Sequence, residues 1–122
     1  MILADTSVWV DHLRQGDTQL AVELNRNNIL MHPYVAGELA LGSLNQRVTV
    51  LTSLDLLPSA VQARENEVRD LIEQRGIYGR GIGYIDAHLL ASVLLTPHAA
   101  LWTRDKRLRK LAESLDLHGP FL

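Results

Sequence analysis

Four acidic residues stand where a carboxylate would have chemistry to do. Asp5 directly follows the apolar run Ile2-Leu3-Ala4, and Asp105 follows Leu101-Trp102-Thr103 with one residue between. Glu38 lies about one and a half turns into the helix expected after Ile29-Leu30-Met31, and Asp86 lies in the first turn of a helix expected from Tyr84. In an open parallel sheet, ligands collect outside the carboxyl ends of the strands, so all four acids can reach one crevice. Carboxylates crowded together disfavour one another unless a cation neutralises them. Hard oxygen donors suit hard ions, and the set therefore implies Mg²⁺ or Mn²⁺. The chain has no cysteine, which removes disulfides, thiolate zinc sites and a cysteine nucleophile.

Each acid also has a plain structural reading. Asp5 can be a helix N-cap, Asp86 an acid favoured in a first helical turn, and Asp105 a cap or a partner of its basic neighbours. Glu38 lies in Val35-Ala36-Gly37-Glu38-Leu39-Ala40-Leu41-Gly42, a setting too apolar for an ordinary solvated glutamate. It is the combination that points to a metal site.

Short apolar runs alternating with helical stretches supply the scaffold. Ile2-Leu3-Ala4, Ile29-Leu30-Met31, Leu56-Leu57-Pro58 and Ala99 to Trp102 are the strand candidates. Helices are expected after Asp5, from about Thr18 to Arg26 behind an Asp17 cap, from Pro33 to about Leu41, and from Gln46 to Leu54. Three more are expected, from Val61 to Arg75, from Tyr84 to Leu95 and from Asp105 to about Leu115, with a short apolar tail after the last. Gly76 to Gly83 holds four glycines in eight residues and cannot be regular structure. Parallel neighbours need long crossovers, so the fold class is α/β: one domain spanning 1–122, its parallel sheet covered by helices on both faces.

The formal net charge of -2 argues against bulk coating of nucleic acid. Locally, however, five of the seven residues from Arg104 to Lys110 are basic. Arg104, Lys106, Arg107 and, from the glycine-rich loop, Arg80 are candidate phosphate contacts, against the alternative of a solvated helix face. The histidines show no ligand spacing and read as polar or capping residues, while Trp9 and Trp102 read as core. Tyr78 and Tyr84, beside the glycines, are the better base-stacking candidates. No apolar run is long enough to span a membrane and no charged n-region precedes the first apolar stretch, so the expected location is the cytoplasm.

Ile2-Leu3-Ala4-Asp5-Thr6-Ser7-Val8-Trp9 resembles the opening of PIN-domain proteins, and Glu38-Leu39-Ala40-Leu41-Gly42 resembles their central E-L-x-x-G element. Asp86-Ala87-His88-Leu89-Leu90-Ala91 is similar to their acid-bearing helix, and Leu101-Trp102-Thr103-Arg104-Asp105 to their closing strand with T-x-D. The resemblance spans nearly the whole chain and extends in particular to the VapC-type toxins of bacterial toxin-antitoxin pairs. It implies a metal-dependent endoribonuclease acting on tRNA or ribosomal RNA, often dimeric and inhibited by a small antitoxin. By position it makes Asp5 and Asp86 the principal metal ligands, Glu38 a ligand directly or through water, and Asp105 a fourth, more variable acid. Ser7 and Thr103 match positions that support the site by hydrogen bonding. Where the family often has an acidic or small residue after the T-x-D acid, this chain has Lys106. Two other functions fit the pattern less fully: a catalytically inert metal-binding partner protein, and a receiver-like phosphoacceptor domain, for which the middle strands lack the expected aspartate.

Overall fold

The computed structural model describes residues 1–119. Its three parallel strands are β1 (Ile2–Ala4), β2 (Ile29–Leu30) and β3 (Ala100–Trp102), in the order β2-β1-β3. The register pairs Ile2 with Ile29 on one side of β1, and Ile2, Leu3 and Ala4 with Ala100, Leu101 and Trp102 on the other. Being the middle strand, β1 is wholly buried, which is why it reads as an unbroken apolar run.

Among the described residues, seven helices connect and cover the strands: α1 (Thr6–Gln15), α2 (Thr18–Asn25), α3 (Pro33–Ala40), α4 (Arg47–Asp55), α5 (Glu65–Gln74), α6 (Tyr84–Leu95) and α7 (Lys106–Ser114). Their starts follow local chemistry. Asp17 accepts the Leu20 amide at 2.9 Å as cap of α2, and Pro33 occupies the first turn of α3, where its missing N–H costs nothing. α6 is apolar nearly all round, with Ala87 to Val93 buried without interruption, and it therefore passes through the interior of the fold.

Two expectations require correction. Leu56-Leu57-Pro58 is not a strand: Leu56 caps α4 and is 81% exposed, and only a single bridge joins Ser59 to Met31 at the edge of β2. Proline has no N–H to give a ladder, so pairing there reduces to the Pro58 carbonyl accepting from Met31 at 2.8 Å and Ala60 donating back at 2.9 Å. The helix expected from Val61 starts four residues later. Val61 donates its amide to Thr96 Oγ1 at 2.9 Å, and the Arg64 amide is taken by the Glu67 carboxylate, which marks Arg64 as the residue before the first turn. At the far edge His118 bridges Leu101; the end of the expected apolar tail, residues 120–122, lies outside the described residues.

Candidate functional site

The site begins with the register of the sheet. Pairing Ala4 with Trp102 places Asp5 and Thr103 side by side at the carboxyl ends of β1 and β3, with the Asp5 amide donating to the Trp102 carbonyl at 3.0 Å. Thr103 Oγ1 then donates across a sequence separation of 98 residues to Asp5 Oδ2, and accepts the Asp105 amide at 3.0 Å. Asp5 is also the cap of α1: its Oδ1 accepts the Ser7 amide at 3.0 Å, the Val8 amide at 3.4 Å and the Ser7 hydroxyl. Ser7 Oγ in turn accepts the Arg104 amide at 3.0 Å. One web of short polar contacts thus ties the starts of α1 and α7 to the sheet and fixes the Asp5 carboxylate. Capping and site-building are the same act here, so the two readings of Asp5 do not compete.

The other acids act on Asp86 through their charge. Asp86 sits at the third position of α6 and draws on the Gly83 amide at a long 3.4 Å. Burial raises its pKa most; the Gly83 amide works the other way, and the negative charges of Asp5, Asp105 and Glu38 each raise it further. Asp5 is raised too, because burial outweighs the hydrogen bonds from Ser7, Thr103 and Val8. Asp105 caps α7, taking the Arg107 and Leu108 amides at 2.9 and 3.0 Å on Oδ1. Glu38 Oε1 accepts the Thr6 hydroxyl at 2.7 Å. Three helix N-termini, those of α1, α6 and α7, therefore open beside these acids and lend partial positive charge to them.

The donor chemistry fits a divalent cation. Glu38, Asp86 and Asp105 each keep one carboxylate oxygen with no hydrogen-bond partner among the described residues, and Asp5 Oδ2 accepts only one bond. Among the described residues, no three acidic or histidine side chains stand close enough together to hold one ion between them. An open set of this kind suits Mg²⁺, which keeps several waters and takes one or two carboxylates, better than it suits an ion that needs an all-protein cage.

The basic residues divide. Arg104 turns away from the acids: its Nη1 and Nη2 pair with Asp11 and Asp17, and its guanidinium lies 5.8 Å from the centre of the Trp102 ring. It fastens the loop before α7 to α1 and to the cap of α2, a structural role that its place in a basic run does not announce. Arg104→Ala should lower stability by about 1 kcal/mol after allowance for solvent screening, a shift of roughly 3–5 °C in the unfolding midpoint. Thermal unfolding at low and high salt checks it, since an equal drop at both would mean packing rather than charge. Lys106 and Arg107 are exposed on α7 and Arg80 is exposed in the glycine loop. Arg107 lies across Gly81, where an added Cβ would meet its Nη1 at 2.8 Å, a contact the long exposed side chain can yield; it is the φ of +79° that favours glycine there.

Sequence reasoning missed Thr6, whose place directly after Asp5 was the available signal. It also missed Asp11 and Asp17 as partners of Arg104, for which no local signal exists. His12 and His32 do serve as polar acceptors, taking the Asp17 and Tyr34 amides at 3.0 Å each, and Trp9 and Trp102 are core.

Residues 2–114 match the PIN domain family, and the chain belongs to it. It is 49% identical over 109 residues to Ribonuclease VapC32 of Mycobacterium tuberculosis strain CDC 1551 / Oshkosh, covering 89% of this chain and 88% of that protein. The same figures hold for Ribonuclease VapC32 of strain ATCC 25618 / H37Rv. Nucleases of this family generally use divalent metal ions. The receiver-like alternative falls with the family assignment.

Proposed function

We propose that the chain is a metal-dependent endoribonuclease, a single PIN domain that forms the toxin half of a toxin-antitoxin pair and acts on tRNA or ribosomal RNA in the cytoplasm. The observation that carries this reading is the sheet register that sets Asp5 and Thr103 side by side at the carboxyl ends of β1 and β3, next to the helix starts that bear Asp86 and Asp105, in a chain 49% identical over 109 residues to a ribonuclease. Asp5 and Asp86 would hold Mg²⁺ or Mn²⁺, with Glu38 and Asp105 completing the set directly or through water. When bound, such an ion makes a water acidic enough to attack a phosphodiester and offsets charge on the departing oxygen.

The chain's own residues supply position. Ser7 and Thr103 hold the Asp5 carboxylate in one orientation, and Thr6 steers Glu38. Thr103 also presents its oxygen to the Asp105 amide, so one hydroxyl links Asp5 at the end of β1 to the start of α7. Lys106, Arg107 and Arg80 contact phosphates on either side of the scissile bond without reading sequence. No side-chain nucleophile takes part.

A cleft of about 420 Å³ that includes Glu38, with Val10, Leu13, Leu39 and Val50 as apolar lining and Arg14 and Asn45 as polar lining, suits an amphipathic segment of an antitoxin. A homodimer is part of the same reading. No helix among the described residues is long and apolar enough to cross a membrane.

The test is cleavage of total tRNA and ribosomal RNA by the purified chain with Mg²⁺ or Mn²⁺. Discrete fragments that vanish with EDTA are expected, and a folded, metal-bound chain that cuts nothing would favour the inert-partner reading. In equilibrium binding titrations of RNA at several salt concentrations, replacing Lys106 and Arg107 by Ala should reduce the salt dependence by about 0.7 in logarithmic slope for each phosphate that is no longer neutralised. An unchanged slope would place both side chains outside the interface.

A further inference from the structure

A second cavity, of about 410 Å³, lies between the starts of α3 and α6 and the stretch before α5. Tyr34, Gln62, Arg64, Tyr84 and His88 line it. The His88 ring is held between two tyrosine edges, 4.8 Å from Tyr34 and 4.7 Å from Tyr84, and it is 3% exposed with Nδ1 lacking any hydrogen-bond partner among the described residues. Tyr84 by contrast is 47% exposed. At the rim, the Arg64 side chain makes no ion pair among the described residues, while the neighbouring Glu65 carboxylate is engaged by Arg69 at 3.4 Å. The cavity thus combines aromatic surface, an amide at Gln62 and one uncommitted cation.

Its place relative to the acids gives it meaning. Tyr34 and Glu38 are four residues apart on one face of α3, about 6 Å along the axis, while Tyr84 opens α6 two residues before Asp86, about 3 Å along the axis and on the other side of the helix, so that the N-terminus of α6 stands between the cavity and the acids. A strand of RNA lying over the acids and rounding that helix start therefore reaches the cavity within a nucleotide or two. RNA-cutting sites meet single-stranded segments whose bases can be splayed out and stacked on aromatic side chains.

We propose that this cavity is a nucleobase subsite: an unpaired base flanking the scissile bond stacks on Tyr84 against the Tyr34–His88 wall, Gln62 reaches its edge, and Arg64 contacts the adjoining phosphate. The proposal rests on the ribonuclease reading and assigns part of its substrate selection to these residues.

Walking a single abasic nucleotide across the cleavage point of a short single-stranded RNA tests it, with Mn²⁺ and the full chain. At one position the missing base should lower kcat/KM by about 10- to 100-fold, the range of one base–aromatic stack. Tyr84→Leu should lower cleavage of the intact RNA by a similar factor and be indifferent to the abasic substitution at that position, while Tyr84→Phe, which keeps the ring, should behave as the parent. Arg64→Ala, at an exposed position where folding is not at risk, should weaken RNA binding and reduce its salt slope. Equal cleavage of every abasic RNA overturns the subsite and leaves the nuclease standing; failure to cut any RNA removes both. If Tyr84→Leu instead converts a dimer to a monomer in sedimentation while the abasic sensitivity persists, the face is a contact between copies and the proposal is wrong.

Discussion

Asp5→Asn is expected to abolish RNA cleavage while making the protein more stable. Asparagine caps a helix as well as aspartate does, so Oδ1 continues to accept the Ser7 and Val8 amides and α1 starts where it did. At the Oδ2 position an amide group replaces an oxygen, and the Thr103 hydroxyl, which already accepts from Asp105, can turn to accept from it. What disappears is one full negative charge at the best-held carboxylate of the proposed metal site. A fall of at least about 10³-fold in kcat/KM is expected, corresponding to roughly 4 kcal/mol of transition-state stabilisation. What is gained is relief of a cost: Asp5 is 5% exposed, burial raises its pKa, and its charge raises that of Asp86. Removing a charge that serves function at the expense of the fold stabilises by about 0.5–2 kcal/mol, or roughly 2–8 °C in EDTA. Cleavage assays beside thermal unfolding decide it. A variant that cuts RNA at the parental rate would remove Asp5 from the metal set, and one that is destabilised would mean that the charge itself supports the fold.

Much of this geometry was legible because it is local. Asp5, Asp17 and Pro33 announce helix starts through residue types that only such positions favour, and the run of buried residues in α6 shows in its composition. The end of β1 was legible for the same reason: a three-residue apolar run stopped by a capping acid leaves little freedom for what comes next. Leu56-Leu57-Pro58 misled because hydrophobicity without hydrogen-bonding capacity does not make a strand; the edge of a sheet is decided by N–H and C=O groups, and proline removes one. Val61 misled in the opposite way. Its spacing extends the α5 stripe, but the amide is drawn to Thr96, 35 residues away, and the chain stays extended until Glu67 reaches back to the Arg64 amide.

The site divides along the same line. The four acids could be found from strand ends and helix starts, whereas the fate of Arg104 depends on Asp11 and Asp17, 93 and 87 residues distant. A basic residue in a basic run reads as a phosphate contact until a folded neighbour claims it. The aromatic cavity is intermediate: Tyr84 and His88, four apart, form a stripe visible in the sequence, but the Tyr34 ring joins it only once α3 and α6 pack together.

Addition of Mg²⁺ or Mn²⁺ at neutral pH is expected to raise the unfolding midpoint of the parent chain, and acidification should erase the effect. Asp5 and Asp86 both have folded pKa values above the ordinary 3.8. A carboxyl shifted in that direction binds its proton more tightly in the folded state, so ionising it costs stability as pH rises from 3.8 through the raised value, and the cost is complete above it. In EDTA, these two groups should therefore make stability decline as pH rises through that window. The cation reverses the sign, because only the ionised carboxylates bind it and its binding adds folding free energy. At a hundredfold excess over Kd the gain is about 2.7 kcal/mol, on the order of 10 °C for a chain of this size. The difference between the metal and EDTA curves should rise with pH through the window and then level off. Asp5→Asn and Asp86→Asn should each remove most of that difference. An equal metal-induced shift in both variants, or one that does not change with pH, would place the cation elsewhere on the surface and separate the metal requirement from these acids.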